Sequence, residues 1–354
     1  MKIFDSFELG DARLKNRLVM APMTRCRAEN NIPNALIAEY YEQRSGCGLI
    51  ISEGTAPSAD GLGYARMPGL FNDQQQLEWS RVCSAVHKRG GRIFLQIMHT
   101  GRIATFKNLQ PGSRILAPSA VVAPGSVFSD SHGLVSHDAP EEMTTADIRR
   151  VIADYASCAE RAINAGFDGV EIHAASGYLP NQFLSDNANL RTDQYGGNPE
   201  NKIRFISEIL EAVIAVTGPF RTGIKISPGM LYNDIIIQDN ISVYRKLISR
   251  LQDFSLAYLH VMRTKENDGG GVISSCRKWY KGTLMMGGGF DRDEAEDCLK
   301  NSMADLIAVG TAFIANPDLA FRWKHALSLA AADRKKFYTA GPEGYIDYPN
   351  YSST

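Results

Sequence analysis

No run of 18 apolar residues occurs in the 354-residue chain, and its opening stretch, Met1-Lys2-Ile3-Phe4-Asp5-Ser6-Phe7-Glu8, breaks its apolar residues with charge. Neither a membrane-spanning helix nor a secretory h-region is legible, so the expectation is a soluble, cytoplasmic protein that does not engage a membrane. An excess of one charge is also missing, since 38 Lys plus Arg face 39 Asp plus Glu for a formal net charge of -1. Without a global field to attract phosphate backbones, nucleic acid is not expected as a partner, and a small molecule is. The six cysteines form no C-x-x-C pair, which predicts reduced, buried thiols. The seven histidines include no H-E-x-x-H, and no G-x-S-x-G occurs, so neither a catalytic metal nor a serine nucleophile is expected.

What is present is a recurring unit: a short apolar run ending in small or polar residues, a turn, then an amphipathic stretch. Eight such runs occur, at 17–23 (RLVMAPM), 48–53, 92–99, 169–173, 222–227, 257–262, 283–287 and 306–310. Helical patterns fill most gaps, at 34–44, 73–89, 148–165 behind a Thr144 cap, from Asn198-Pro199, and at 241–253, 291–299 and 319–330. The segment between the sixth and seventh runs is the least regular. Eight repeats without a composition break predict an α/β fold, a (β/α)8 TIM barrel over residues 1–354 as one domain. A doubly wound sheet is the alternative, but no G-x-G-x-x-G follows the first strand. Residues 1–16 read as an N-terminal hairpin plugging the barrel bottom, and 100–143 as a lid or capping insertion after the third strand.

Barrel enzymes place chemistry where strands end. In the fourth run Glu171 and His173 share one face, so they point inward while Val170 and Ile172 pack on helices. His173 with Tyr178 makes a hydrogen-bonding and proton-donating pair, or else a core histidine bonded to a neighbour. The glycines after the seventh run, with Gly310-Thr311 after the eighth, suit a phosphate, although three consecutive glycines also make a plain turn. Lys225 inside an apolar strand requires an anion, either Glu171 or a ligand. Gln96 carries the donors and acceptors to read an edge of alternating C=O and N–H.

Ordered motifs then point to a family. Asn16-Arg17 with Ala21-Pro22-Met23-Thr24-Arg25, Ala38-Glu39-Tyr40-Tyr41, Leu49-Ile50-Ile51-Ser52-Glu53, His99-Thr100-Gly101-Arg102, Gly177-Tyr178, Asn181-Gln182-Phe183-Leu184, Ile314-Ala315-Asn316-Pro317-Asp318-Leu319 and Gly344-Tyr345-x-Asp347-Tyr348-Pro349 run the length of the chain. In these the sequence resembles the Old Yellow Enzyme family of FMN-dependent ene reductases, especially its bacterial, N-ethylmaleimide reductase-like branch. The resemblance implies a bound FMN across the barrel mouth. Pro22, Met23, Thr24 and Gly54 would line one side, Gln96 would read the pyrimidine edge, and Lys225 would stand where reduction deposits negative charge. Gly288, Gly289, Gly310 and Thr311 would hold the phosphate, while Tyr64, Met98, His173, Ser176, Tyr178 and Tyr345 would shape the substrate side. It further implies ping-pong chemistry: NADPH or NADH reduces the flavin, and an electron-poor alkene, an α,β-unsaturated carbonyl or nitro compound, then takes hydride at one carbon and a proton from Tyr178 at the other.

Four positions depart from the family pattern: Ser176 for a His or Asn, Lys225 and Thr311 for Arg, and Met98 for Trp. Two alternatives accompany the reductase reading, a flavin-dependent double-bond isomerase of a biosynthetic pathway and a barrel that has lost activity and only binds ligand. A monomer or homodimer is expected.

Overall fold

The computed structural model describes residues 1–264 and 267–351. Eight parallel strands form a closed barrel: β1 (Leu18–Met20), β2 (Leu49–Ile51), β3 (Ile93–Ile97), β4 (Gly169–Ala174), β5 (Thr222–Ile226), β6 (Tyr258–Met262), β7 (Leu284–Gly287) and β8 (Leu306–Val309). Each pairs with the next and β8 pairs with β1, so the sheet has no edge. All eight apolar runs are these strands, and the doubly wound alternative is set aside by closure. Among the described residues no helix is long and apolar enough to cross a membrane.

Strand alternation divides the core into two shells. Inside, Val19, Leu49, Ile51, Phe94, Tyr258, Met285 and Leu306 pack with Leu9 and Leu14 of the N-terminal hairpin Phe7–Leu9/Ala12–Leu14, so the hairpin stoppers one end of the barrel. Outside, Leu95, Val170, Ile172 and Ile224 meet the helices. The longest are α1 (Asp73–Lys88), α2 (Thr145–Asn164), α3 (Arg204–Thr217) and α4 (Asn240–Leu251), with shorter ones among them. The Thr144 cap is a reciprocal capping box with Asp147, and Asn198 caps the short helix Pro199–Lys202. The irregular sixth connection contains a helix too, Val272–Trp279.

One helical expectation is corrected. The 319–330 pattern stops at Lys324, because Ala326 takes a left-handed φ of 55° and Arg322 turns back to accept the Leu327 N–H on its carbonyl and to donate to the Ser328 carbonyl. Asn316 then holds the non-helical remainder through two hydrogen bonds to the Ala330 backbone.

Three buried arginines join the two ends of the sequence. Arg25 donates to the carbonyls of Phe337 and Gly344, and Arg27 to those of Lys336 and Phe337. Arg44 donates to the carbonyls of Tyr40, Phe313, Ile314 and Tyr345. Tyr345 lies flat on Tyr40, ring centroids 4.1 Å apart, with the Arg44 cation 3.7 Å from the Tyr40 ring centre and the Arg27 cation 4.7 Å from that of Tyr345. Removing one such cation strands buried carbonyls. Arg44→Met is expected to lower stability by about 3 kcal/mol with an unchanged denaturant slope, measured by chemical unfolding. A loss under about 0.5 kcal/mol, as for an ordinary surface substitution, would contradict this account.

Candidate active site

β4 ends at Ala174, and the chain must then turn sharply to present Tyr178. Ser176 (φ 55°) and Gly177 (φ 79°) supply left-handed residues, and a Cβ on Gly177 would sit 2.5 Å from the Asn233 Cβ. The following Asn181-Gln182 locks the turn. Asn181 Oδ1 accepts the Gly177 N–H at 2.9 Å, and Gln182 Nε2 donates to the Gly177 and Thr100 carbonyls. The Gln182 oxygen accepts the Arg102 N–H, tying β4's turn to the end of β3.

Within this frame His173 and Tyr178 stand edge to face, ring centroids 4.8 Å apart. His173 Nδ1 accepts the Ala175 N–H at 3.3 Å, so its ring proton sits on Nε2. Burial, with Lys225 and His260 nearby, holds its pKa well below the ordinary value, and the ring is neutral. The Tyr178 hydroxyl lies 3.0 Å from that of Tyr64, and burial, reinforced by Tyr64, keeps its pKa far above 10. Ser176 donates its hydroxyl to Met230 Sδ at 3.7 Å.

These side chains line one end of a groove along the barrel mouth. That end encloses about 500 Å³ between Thr24, Tyr64, Gln96, Met98, His173, Ser176 and Tyr178. The other end encloses about 740 Å³ and runs past Met23, Gly288, Gly289, Gly310 and Thr311. Pro22, Lys225 and Met262 line both, making the two ends continuous. Gly288 has a φ of 113°, and a Cβ there would lie 2.2 Å from the Arg263 carbonyl oxygen, so only glycine permits this backbone path. Lys225 is 6% exposed and makes no hydrogen bond or ion pair among the described residues. Among the described residues no three His, Cys, Asp or Glu could hold a metal.

Two sequence expectations are corrected here. Tyr345 does not reach the groove: it is fully buried in the arginine stack, and the aromatic side chain from the same segment that lines the wall is Tyr338. Gly54 lines neither end. It stands behind Met98, whose Sδ would lie 2.6 Å from a Cβ at 54, so the glycine makes room for that methionine. Sequence reasoning also missed Cys26, Arg66, Phe128, Tyr232 and Tyr338 on the wall and Arg292 at the glycine end. Cys26, Arg66, Tyr232 and Tyr338 sit in loops without periodicity, whereas Phe128 lies on the short strand Ser126–Ser129 of the 100–143 insertion and Arg292 opens the helix Arg292–Lys300. Arg66 gathers three of these loops, donating to the carbonyls of Cys26 and Tyr338 and pairing with Asp130.

The family model for the NADH:flavin oxidoreductase / NADH oxidase family matches residues 2–330. A probable flavin mononucleotide-dependent alkene reductase of Leishmania infantum is 39% identical, over 96% of this chain and 95% of that protein. Among solved structures, an old yellow enzyme homologue from Zymomonas mobilis superposes with a TM-score of 0.95 at 36% identity, covering 99% of both chains. Morphinone reductase in complex with tetrahydroNAD gives 0.95 at 39% identity, over 99% of this chain and 98% of that one.

Beside the groove, the Glu53 carboxylate is fully buried. Its Oε2 accepts the Arg25 N–H at 3.2 Å, and its Oε1 has no hydrogen-bond partner among the described residues. Burial raises its pKa to about 7, against the pull of Arg25 and Arg27. A pKa higher in the fold than in the unfolded chain gives stability that is present below the unfolded value, near 4.5, and is lost as pH rises through 7. Glu53→Gln removes this dependence. The variant should gain on the wild type by about 3 kcal/mol between pH 4.5 and 8 in parallel unfolding titrations, and parallel pH curves would refute the assignment.

Proposed function

The chain belongs to the NADH:flavin oxidoreductase / NADH oxidase family, that of the Old Yellow Enzyme, and from this premise we propose that it reduces the activated C=C bond of α,β-unsaturated carbonyl compounds at the His173–Tyr178 end of the groove. It is an FMN-dependent enzyme that uses a nicotinamide as hydride donor and carries out alkene reduction in the general sense. The observation that carries the finer reading is the continuity of the groove, with a glycine-lined end and a His–Tyr end joined at Lys225.

The residues fit the cofactor. The Lys225 ammonium, which makes no hydrogen bond or ion pair among the described residues, the glycine path at 288 and the Gln96 amide suit an anionic, hydrogen-bonding ligand. Gly288, Gly289, Gly310 and Thr311 would hold the phosphate, with Pro22 and Met23 against the body of the group and Thr24, Gln96 and Lys225 at its ring. When bound, FMN supplies a carrier that takes hydride from the nicotinamide and delivers it to the alkene.

The protein's own groups do the rest. Nicotinamide and alkene would use the same end in turn, since one 500 Å³ space serves both. The neutral His173 donates its Nε2 proton as a hydrogen bond to the substrate carbonyl and stabilises the charge that develops there. Ser176, whose hydroxyl is turned to Met230, assists weakly, so one strong donor suits a single carbonyl oxygen better than a nitro group. Tyr178 gives its phenolic proton to the carbon beside the carbonyl, and its presence supports net reduction over isomerisation. Tyr64 and Met98 shape the wall, and the 100–143 insertion acts as a cap through Val127 and Phe128.

Tyr178→Phe should leave reduction by NADPH unchanged and slow transfer to weakly activated enones on the order of 10²–10⁴-fold, read by stopped-flow absorbance of the two half-reactions. Collapse of the nicotinamide half-reaction in this variant would refute the assigned role.

A further inference from the structure

Beneath the ring end lies a carboxylate that none of these roles uses. Glu171 on β4 is fully buried, and both its oxygens are engaged: Oε1 accepts from Gln96 Nε2 at 2.8 Å, and Oε2 lies 2.9 Å from His260 Nδ1. Register explains the grouping, since Glu171 is level with Gln96 on β3, and Lys225 on β5 is level with both His173 on β4 and His260 on β6. An ionised carboxylate only accepts, so both partners must donate. Although burial works against it, His260, Lys225 and Gln96 hold the Glu171 carboxyl below its ordinary value, while burial keeps His260 neutral. The His260 proton therefore sits on Nδ1, and its buried Nε2 has no partner.

Two consequences follow for the cavity. With its NH2 group held by Glu171, the Gln96 amide turns its carbonyl oxygen the other way, toward the groove that Gln96 lines. One anion, Glu171, also lies buried beneath the groove on the strand next to the one cation that lines it, Lys225, and the two interact electrostatically. The pyrimidine edge of a flavin has an imide N–H between two carbonyls and becomes more negative on reduction. An outward Gln96 oxygen matches that N–H, whereas a rotated amide would oppose donor to donor.

We propose that Glu171 is a positioning residue that fixes the Gln96 amide as an acceptor for the FMN imide N–H and, together with Lys225, sets the electrostatic potential in which the flavin is reduced. This rests on the reading above that the ring end of the groove takes FMN.

Glu171→Gln keeps the size, removes the charge and frees the Gln96 amide to turn. Two readouts apply, the affinities of the apoprotein for FMN and for 3-methyl-FMN by flavin fluorescence, and the midpoint potential of bound FMN. Wild type should prefer FMN about tenfold, the value of one hydrogen bond to a buried partner. E171Q should lose that preference, and its midpoint potential should rise because Lys225 is no longer opposed. Retention of the preference, or a potential that does not rise, overturns the proposal. Should E171Q fail to fold, the wild type still decides: its reduced-minus-oxidised infrared spectrum, with ¹³C-labelled glutamate, must contain a shifted carboxylate band, and its absence overturns the proposal as well. Equal binding of FMN and 3-methyl-FMN by the wild type would instead remove the ring placement itself.

Discussion

Closure of an eight-stranded sheet leaves every second side chain pointing into a space that only a few layers can fill, and that constraint organises this molecule. At the end stoppered by the hairpin the layers are apolar, with Leu9 and Leu14 packed beneath Phe94, Tyr258 and Met285. Toward the other end the inward positions become Gln96, Glu171, His173, Lys225 and His260, all buried. Groups of that polarity are costly to bury singly, and the strand register sets Gln96 level with Glu171, and His173 and His260 level with Lys225, so that the carboxylate takes hydrogen bonds from the Gln96 amide and the His260 imidazole. Lys225 is the member left over, and it faces the groove.

The barrel was legible because its signal is local and repeated. Each strand announces itself by a short apolar run, and parity alone placed Glu171 and His173 inside while sending Val170 and Ile172 outward. Gln96 and Lys225 became candidates because each is a polar side chain inside an apolar strand. Position at the strand ends singled out Tyr178 and the glycines after the seventh and eighth runs, motif resemblance added Ser176 and the assignment of roles, and the structure gathers Tyr178, Ser176, Gly288, Gly289 and Gly310 along one groove.

What stayed hidden depends on contacts between distant segments. The family resemblance put Tyr345 on the substrate side, yet three arginines and Tyr40 claim it, and Tyr338 takes its place. Gly54 looked like a cofactor contact, but its lack of a Cβ serves Met98. The 319–330 helix ended early because a left-handed Ala326, a residue type that ordinarily favours helix, reverses the chain. Loop residues such as Arg66 and Tyr232 had no period by which to be found.

The arginine bridge also bears on the order of folding. Arg25 and its partner Gly344 are separated by 319 positions, and Arg27 and Glu343 by 316, among the longest loops this chain can close. Contacts of such high sequence separation carry a large closure entropy and form after local ones. During synthesis the three cations therefore lack their distant acceptors until the segment that carries Phe337, Gly344 and Tyr345 has emerged. The wall that Tyr338 contributes comes from that same segment, so until it has emerged a nascent chain has no complete binding surface for a reactive small molecule.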